Sequence, residues 1–195
     1  MIKKDSIANR PGRTTVAGAP EGVDALVLAA LAEGHGDVLH LARDDARLSR
    51  MAEALAFFAP EVEVVRLPAW DCLPYDRVSP NADVESQRVT ALARLAAGPA
   101  ARPRIVLSTA SAVLQRVPPR VLFSRSTFSA AVGTRLALDD LLGFLARNGF
   151  SRVGTVREPG EFAVRGGIVD LFPPGREEPV RLDLFGDELE AVRRF

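Results

Sequence analysis

The alternation of helix-like and strand-like segments over residues 16–116 stops at Pro118-Pro119, and no other feature of the chain constrains its fold as tightly. Alternation of this kind builds an open α/β layer with a mostly parallel sheet, because each crossover helix returns the chain to the same end of the sheet. Leu26, Leu28 and Leu31 mark a first helix that ends near Gly34, and Asp37–Ala42 reads as a strand. Asp44 or Asp45 caps the next helix, whose Leu48, Met51, Ala52, Leu55 and Phe58 form one apolar stripe before Pro60. Glu61–Leu67 is a second strand, and Ser79-Pro80 opens the helix carrying Val89, Leu92 and Leu95. Ile105-Val106-Leu107 is a buried strand, and a short helix from Ser111 to Val117 meets the two prolines.

Beyond Pro119 strands dominate, which places a domain boundary near residue 120 and gives domains 1–120 and 121–195, with residues 1–15 expected to be unstructured. Thr127–Val132 is strand-like, and Leu138, Leu141, Leu142 and Leu145 recur at helical spacing behind Asp139 and Asp140. Asn148-Gly149 closes that helix. Five further strands follow, Ser151–Val156, Glu161–Arg165, Gly167–Phe172, Val180–Phe185 and Glu188–Phe195, separated by Pro- and Gly-containing turns. One helix on a small antiparallel sheet, an α+β domain, is the expected second unit.

Strand alternation within that unit has a functional consequence. In Val180–Phe185 the apolar Val180, Leu182 and Leu184 share one face, which sends Arg181, Asp183 and Phe185 to the other. The same rule puts Phe162 and Val164 inward and Arg165 outward. An exposed aromatic flanked by arginines on a rigid sheet has the composition of a protein-binding hot spot. The alternative is that Phe185 ends its strand and folds under a hairpin.

Composition narrows the function classes. With 47% hydrophobic and 26% charged residues the 195-residue chain is of globular type, and no apolar run approaches the roughly 20 residues that cross a bilayer. Met1–Asp5 has charge but no apolar stretch behind it, unlike a secretory signal. The lone Cys72 excludes an internal disulfide and suits a cytoplasmic location. Twenty-five basic residues balance twenty-five acidic ones, which weighs against a stand-alone nucleic-acid binder built on phosphate neutralisation.

No catalytic apparatus is legible. The candidate phosphate loop, Gly18 to Ala25, has Val23, Asp24 and Ala25 where a working loop has Gly-Lys-Ser/Thr, and Asp24 and Glu21 repel a phosphate. The only histidines, His35 and His40, have no metal-ligand spacing around them, and His40 in a strand reads as a core residue. Asp71, Asp76 and Asp83 lack the spacing of a calcium loop, and Cys72 has no histidine partner. No catalytic residue, cofactor or metal is therefore expected. Trp70 and Tyr75 suit either a base-stacking platform or, better, an aromatic anchor holding a loop to its own domain.

Two stretches read together bring a family into view. Leu67-Pro68-Ala69-Trp70-Asp71-Cys72-Leu73-Pro74-Tyr75-Asp76, continuing through Ser79-Pro80 to Arg88, resembles the early part of the bacterial transcription-repair coupling factors, the Mfd family. Glu161–Pro173, with Arg181–Phe185 and Asp187-Glu188, is similar to a module that family shares with the excision-repair protein UvrB. UvrB itself fits less well, since it keeps an intact nucleotide loop and inserts a long aromatic hairpin where Ser79-Pro80 here leads into a helix. The resemblance implies a degenerate nucleotide-fold domain followed by a domain that docks on UvrA, at the amino-terminal end of a DNA translocase that recognises stalled RNA polymerase. It also implies that polymerase and DNA are engaged by downstream domains absent from this chain, which is then a non-catalytic fragment. The family's UvrA contacts map onto Arg165, Arg181 and Phe185, with Arg157 at the rim, and these three are the residues that alternation directs outward. The remaining alternative is a nucleic-acid-binding module of a repair or helicase protein.

Overall fold

The computed structural model describes residues 12–20, 22–73, 75, 77–125 and 127–195. Residues 1–11, Glu21, Pro74 and Asp76, on which expectations above fall, lie outside the described residues. Two compact units divide between Pro118 and Pro119, and each is described separately. No helix among the described residues is long and apolar enough to cross a membrane.

The first unit contains α1 (Val23–His35), β1 (Asp37–Ala42), α2 (Asp45–Phe58), β2 (Glu63–Leu67), α3 (Ala82–Ala96), β3 (Arg104–Thr109) and the single-turn α4 (Ala110–Val113). Its strands form the all-parallel sheet β1-β3-β2 that the alternation predicts. The central strand, β3, is buried along its whole length and separates two cores. Ile105 and Leu107 face α1 and α2, packing with Ala25, Ala29, Leu48, Met51 and Leu55. Val106 faces α3 with Val65, Leu67 and Ala91. Register is pinned by charge at one end, where Arg104 lies directly opposite both Asp37 and Glu63 and pairs with their carboxylates at 3.6 and 3.2 Å.

Two local expectations for this unit are corrected, and the buried face of α1, on which none was made, is fixed. The buried stripe of α1 is alanine, at Ala25, Ala29 and Ala32, while Leu26 is exposed; small side chains let the helix approach α2 closely. The cap of α3 is Asn81, whose side chain accepts the Asp83 N–H, so the helix starts after Ser79-Pro80 and does not use Pro80 in its first turn. The helix before Pro118 ends at Val113, four residues short of the expected Val117. Asp44 does cap α2, accepting the Arg47 N–H.

The second unit comprises α5 (Arg120–Arg125), α6 (Leu138–Arg147), β4 (Ser151–Arg152), β5 (Glu161–Arg165), β6 (Ile168–Leu171), β7 (Val180–Phe185) and β8 (Glu188–Arg194). The strands form one sheet in sequence order. Leu141 and Leu145 of α6 pack on its inner face against Phe162, Val169, Leu171, Val180, Leu182 and Leu189. The sheet is mixed, whereas an antiparallel one was expected: β5 to β8 pair antiparallel, but β4 runs parallel to β5. The link between those two is a wide loop, closed by the Glu161 carboxylate accepting the N–H groups of Arg157 and Glu158, and such a loop lets the chain re-enter in the same direction. Thr127–Val132 is not a strand; Ala131 and Thr134 close a turn through Gly133 at φ 81°, and Phe128 packs against Phe144. Pairing resumes one turn later, with Thr134 and Leu136 bonded to Leu189 and Asp187.

Candidate functional site

The outer face of the second sheet is assembled by register. Ala163, Asp170, Arg181 and Arg193 lie opposite one another across β5 to β8, and Arg165, Ile168, Asp183 and Ala191 form the next row. All these positions alternate with the core residues Val164, Val169 and Leu182, so period-two geometry turns them from α6. Phe185 lies on the same face beyond a register shift between Asp183 and Leu184. It is 75% exposed, so the hairpin does not fold it under.

The hairpin joining β5 to β6 turns on Gly166-Gly167. Gly166 has φ +62°, in the left-handed region that favours glycine. At Gly167 a Cβ would stand 2.5 Å from the Leu184 carbonyl oxygen, because the Leu184 N–H donates to the Gly167 carbonyl at 2.8 Å. Absence of a side chain there lets β7 pass close under the turn, bringing Arg165 and Phe185 onto one rigid platform.

The three guanidiniums of this face have different environments. Arg181 is gripped by Asp170, its Nε and Nη2 donating at 2.7 and 2.9 Å to the two carboxylate oxygens. Asp170 is itself buried, with only 6% of its side chain exposed. The hydrogen bonds and charge of Asp170 hold the Arg181 guanidinium above its ordinary pKa, and Arg181 also lies 5.1 Å from the Phe195 ring centroid. Arg193 pairs with Asp183 at 3.0 Å. Arg165 donates to the Gly154 carbonyl at 2.8 Å and comes no nearer than 4.0 Å to Asp170, with over half its side chain in solvent.

Arg165, Arg181 and Phe185 are thus brought to one face, as expected from alternation. Arg157 is exposed on the loop before β5, where its backbone N–H is spent on Glu161. Asp183 is directed outward with Arg181 and Phe185 by alternation, as expected, whereas Asp170, Arg193 and Ile168 were not singled out by sequence reasoning. The available signal was a carboxylate at an outward position in the apolar run Ile168–Leu171, on the strand between those that carry Arg165 and Arg181.

The other sequence candidates take structural places. In the first turn of α1, Asp24 accepts from the Ala25 N–H and the Arg47 guanidinium, so a carboxylate stands at the helix end where a phosphate would bind. The Trp70 ring is covered by Arg88 at 4.6 Å, and its backbone N–H donates to Gln115 Oε1. Arg88 is fully buried, donates to the Pro68 carbonyl, and burial pushes its pKa down. This is the loop anchor expected of Trp70, whereas Tyr75 projects into solvent with φ 79°. Half-buried His40 has its pKa lowered chiefly by desolvation, partly offset by Asp24.

Comparison with known proteins bears on the same residues. Residues 128–195 match the UvrB interaction domain family, a span that contains the whole outer face. The Escherichia coli transcription-repair-coupling factor is 35% identical over 172 residues, covering 88% of this chain and 15% of that protein. The Myxococcus xanthus protein of the same name is 37% identical over 163 residues, 80% of this chain and 13% of its own length. That of Mycobacterium tuberculosis is 37% identical over 138 residues, 68% of this chain and 11% of its own. The chain therefore spans roughly a seventh of the length of the Escherichia coli and Haemophilus influenzae relatives. On these matches, the chain belongs to the transcription-repair coupling factor family, over a segment that includes its UvrB interaction domain.

Proposed function

We propose that this chain is the non-catalytic segment through which a cytoplasmic transcription-repair coupling factor recruits UvrA to stalled RNA polymerase. Its first unit serves as a degenerate nucleotide-fold domain and its second as the docking domain, with polymerase and DNA engaged by other parts of the parent protein. The observation that carries the reading is Phe185, three-quarters exposed on a strand fixed between two others and turned to the same sheet face as Arg165 and Arg181. A large aromatic whose backbone is already held in a sheet binds at a lower ordering cost than one on an unpaired segment. Asp24 at the phosphate position of the first unit supports the absence of nucleotide chemistry.

Titration of the chain against purified UvrA tests the reading, with the Arg181→Ala/Phe185→Ala double variant as control. Saturable binding that the variant loses, with its fold intact, is the expected result. Equal binding by a folded double variant would remove the assignment.

A further inference from the structure

Among the described residues, the two register rows of the outer face carry three guanidiniums and two carboxylates, with Glu188 opposite Phe185 beyond them, and the pairing within the rows is unequal. Asp170 takes both oxygens' worth of Arg181, and Asp183 takes Arg193. Of these three, Arg165 has the most distant counter-charge: its Nη1 is 4.0 Å from an oxygen that Arg181 already holds. The bidentate bond also uses the Nε and Nη2 edge of Arg181, which leaves both Nη1 hydrogens and the second Nη2 hydrogen as donors free of Asp170. Burial of Asp170 strengthens that grip, since a carboxylate shielded from water has no competing partner.

We infer that Arg165 alone supplies the net charge for docking, whereas Asp170 converts Arg181 into an oriented, charge-neutralised hydrogen-bond donor. The inference rests on the docking reading above and deepens it by specifying the partner surface. That surface carries a carboxylate opposite Arg165, an uncharged acceptor such as a backbone carbonyl or side-chain amide opposite Arg181, and an apolar recess for Phe185. Asp170 touches no partner in this scheme and acts as a positioning residue. Without it, a half-exposed arginine samples many rotamers and presents its charge to solvent.

The test is UvrA affinity measured across a range of ionic strength, for the wild-type chain and four variants. Arg165→Gln is expected to weaken binding and flatten the salt dependence, because the exposed, screened charge is gone. The paired change Asp170→Asn/Arg181→Gln alters no net charge; it is expected to weaken binding by about tenfold through lost donor geometry while keeping the wild-type salt dependence. Asp170→Asn alone releases a second charge, and its salt dependence is expected to steepen. Flattening by the paired change to the same degree as Arg165→Gln would overturn the inference, since Arg181 would then meet a partner charge directly. Phe185→Ala separates the two claims. If it loses binding, the docking reading stands whatever the salt profiles say; if it binds as wild type, or if the wild-type chain does not bind, the docking reading falls and this inference with it. A partner-free readout guards the intramolecular half: slow solvent exchange of the Arg181 Nε–H, lost in Asp170→Asn, is expected, and exchange as fast as at Arg165 would overturn it.

Discussion

Asp170 and Arg181 stand directly opposite each other on neighbouring antiparallel strands, joined by two hydrogen bonds of 2.7 and 2.9 Å. The pair sits on the face of the sheet turned from α6, one row from Arg165 and flanked on each strand by the core residues Val169, Leu171, Val180 and Leu182. A cross-strand ion pair of this geometry fixes the direction in which a guanidinium points, and direction is what recognition of a protein surface needs.

Opposite faces of β7 are expected to respond differently to truncation. Leu182 is buried against α6, so Leu182→Ala should cost about 2–5 kcal/mol of stability. Phe185 is mostly in solvent, and Phe185→Ala should shift stability by less than about 0.5 kcal/mol. Urea denaturation of the two variants measures both. A large loss at Phe185 would mean that the ring is covered.

Much of this was legible beforehand because alternation in Val180–Phe185 and Glu161–Arg165 is dictated by chirality and the pleat, which tertiary context cannot change. The cap at Asp44 and the stop at Asn148-Gly149 were readable for the same local reason. What escaped depended on distant partners. Thr127–Val132 has strand composition but no strand beside it, and β4 runs parallel to β5 only because a loop closed by Glu161 turns the chain back. The alanine face of α1 was hidden by its leucines, since hydrophobicity ranks leucine above alanine while close packing against α2 favours the smaller residue. Asp170 was invisible as an organiser because its counter-charge lies eleven residues away on another strand.

Gly167 should be intolerant of any side chain. A Cβ placed 2.5 Å from the Leu184 carbonyl forces β5–β6 and β7 apart, and Gly167→Ala is expected to destabilise the unit by about 1–3 kcal/mol. Gly166→Ala meets no atom but must hold φ +62°, at a cost of about 1–2 kcal/mol. Only the first should also weaken UvrA binding among the molecules that remain folded, because it moves the backbone beside Phe185. Chemical denaturation together with UvrA titration checks both parts.

Acid should destabilise the chain partly through two carboxylates that accept backbone N–H bonds. The Arg47 N–H and then the Arg43 side chain hold Asp44 below its ordinary 3.8, and the N–H groups of Arg157 and Glu158 hold Glu161 below its ordinary 4.5. A carboxyl depressed in the folded state contributes stability that is complete above its unfolded value and is lost as pH falls through the folded one. Asp44→Asn keeps a capping oxygen yet cannot titrate, so Asp44→Asn/Glu161→Gln should flatten the loss of stability below pH 4.5 relative to wild type. Unfolding free energy followed from neutral to acid pH measures it, and an unchanged acid limb would show that neither carboxyl contributes.

The most direct test of the docking claim compares two exposed phenylalanines. Phe57, at the end of α2 in the first unit, is 79% exposed, against 75% for Phe185. Generic stickiness would make both matter equally for UvrA, whereas a built docking site makes only one matter. Phe185→Ala is predicted to weaken UvrA binding by at least about tenfold, with Phe57→Ala within about twofold of wild type. Equal losses at both positions, or a loss at Phe57 alone, would contradict the account.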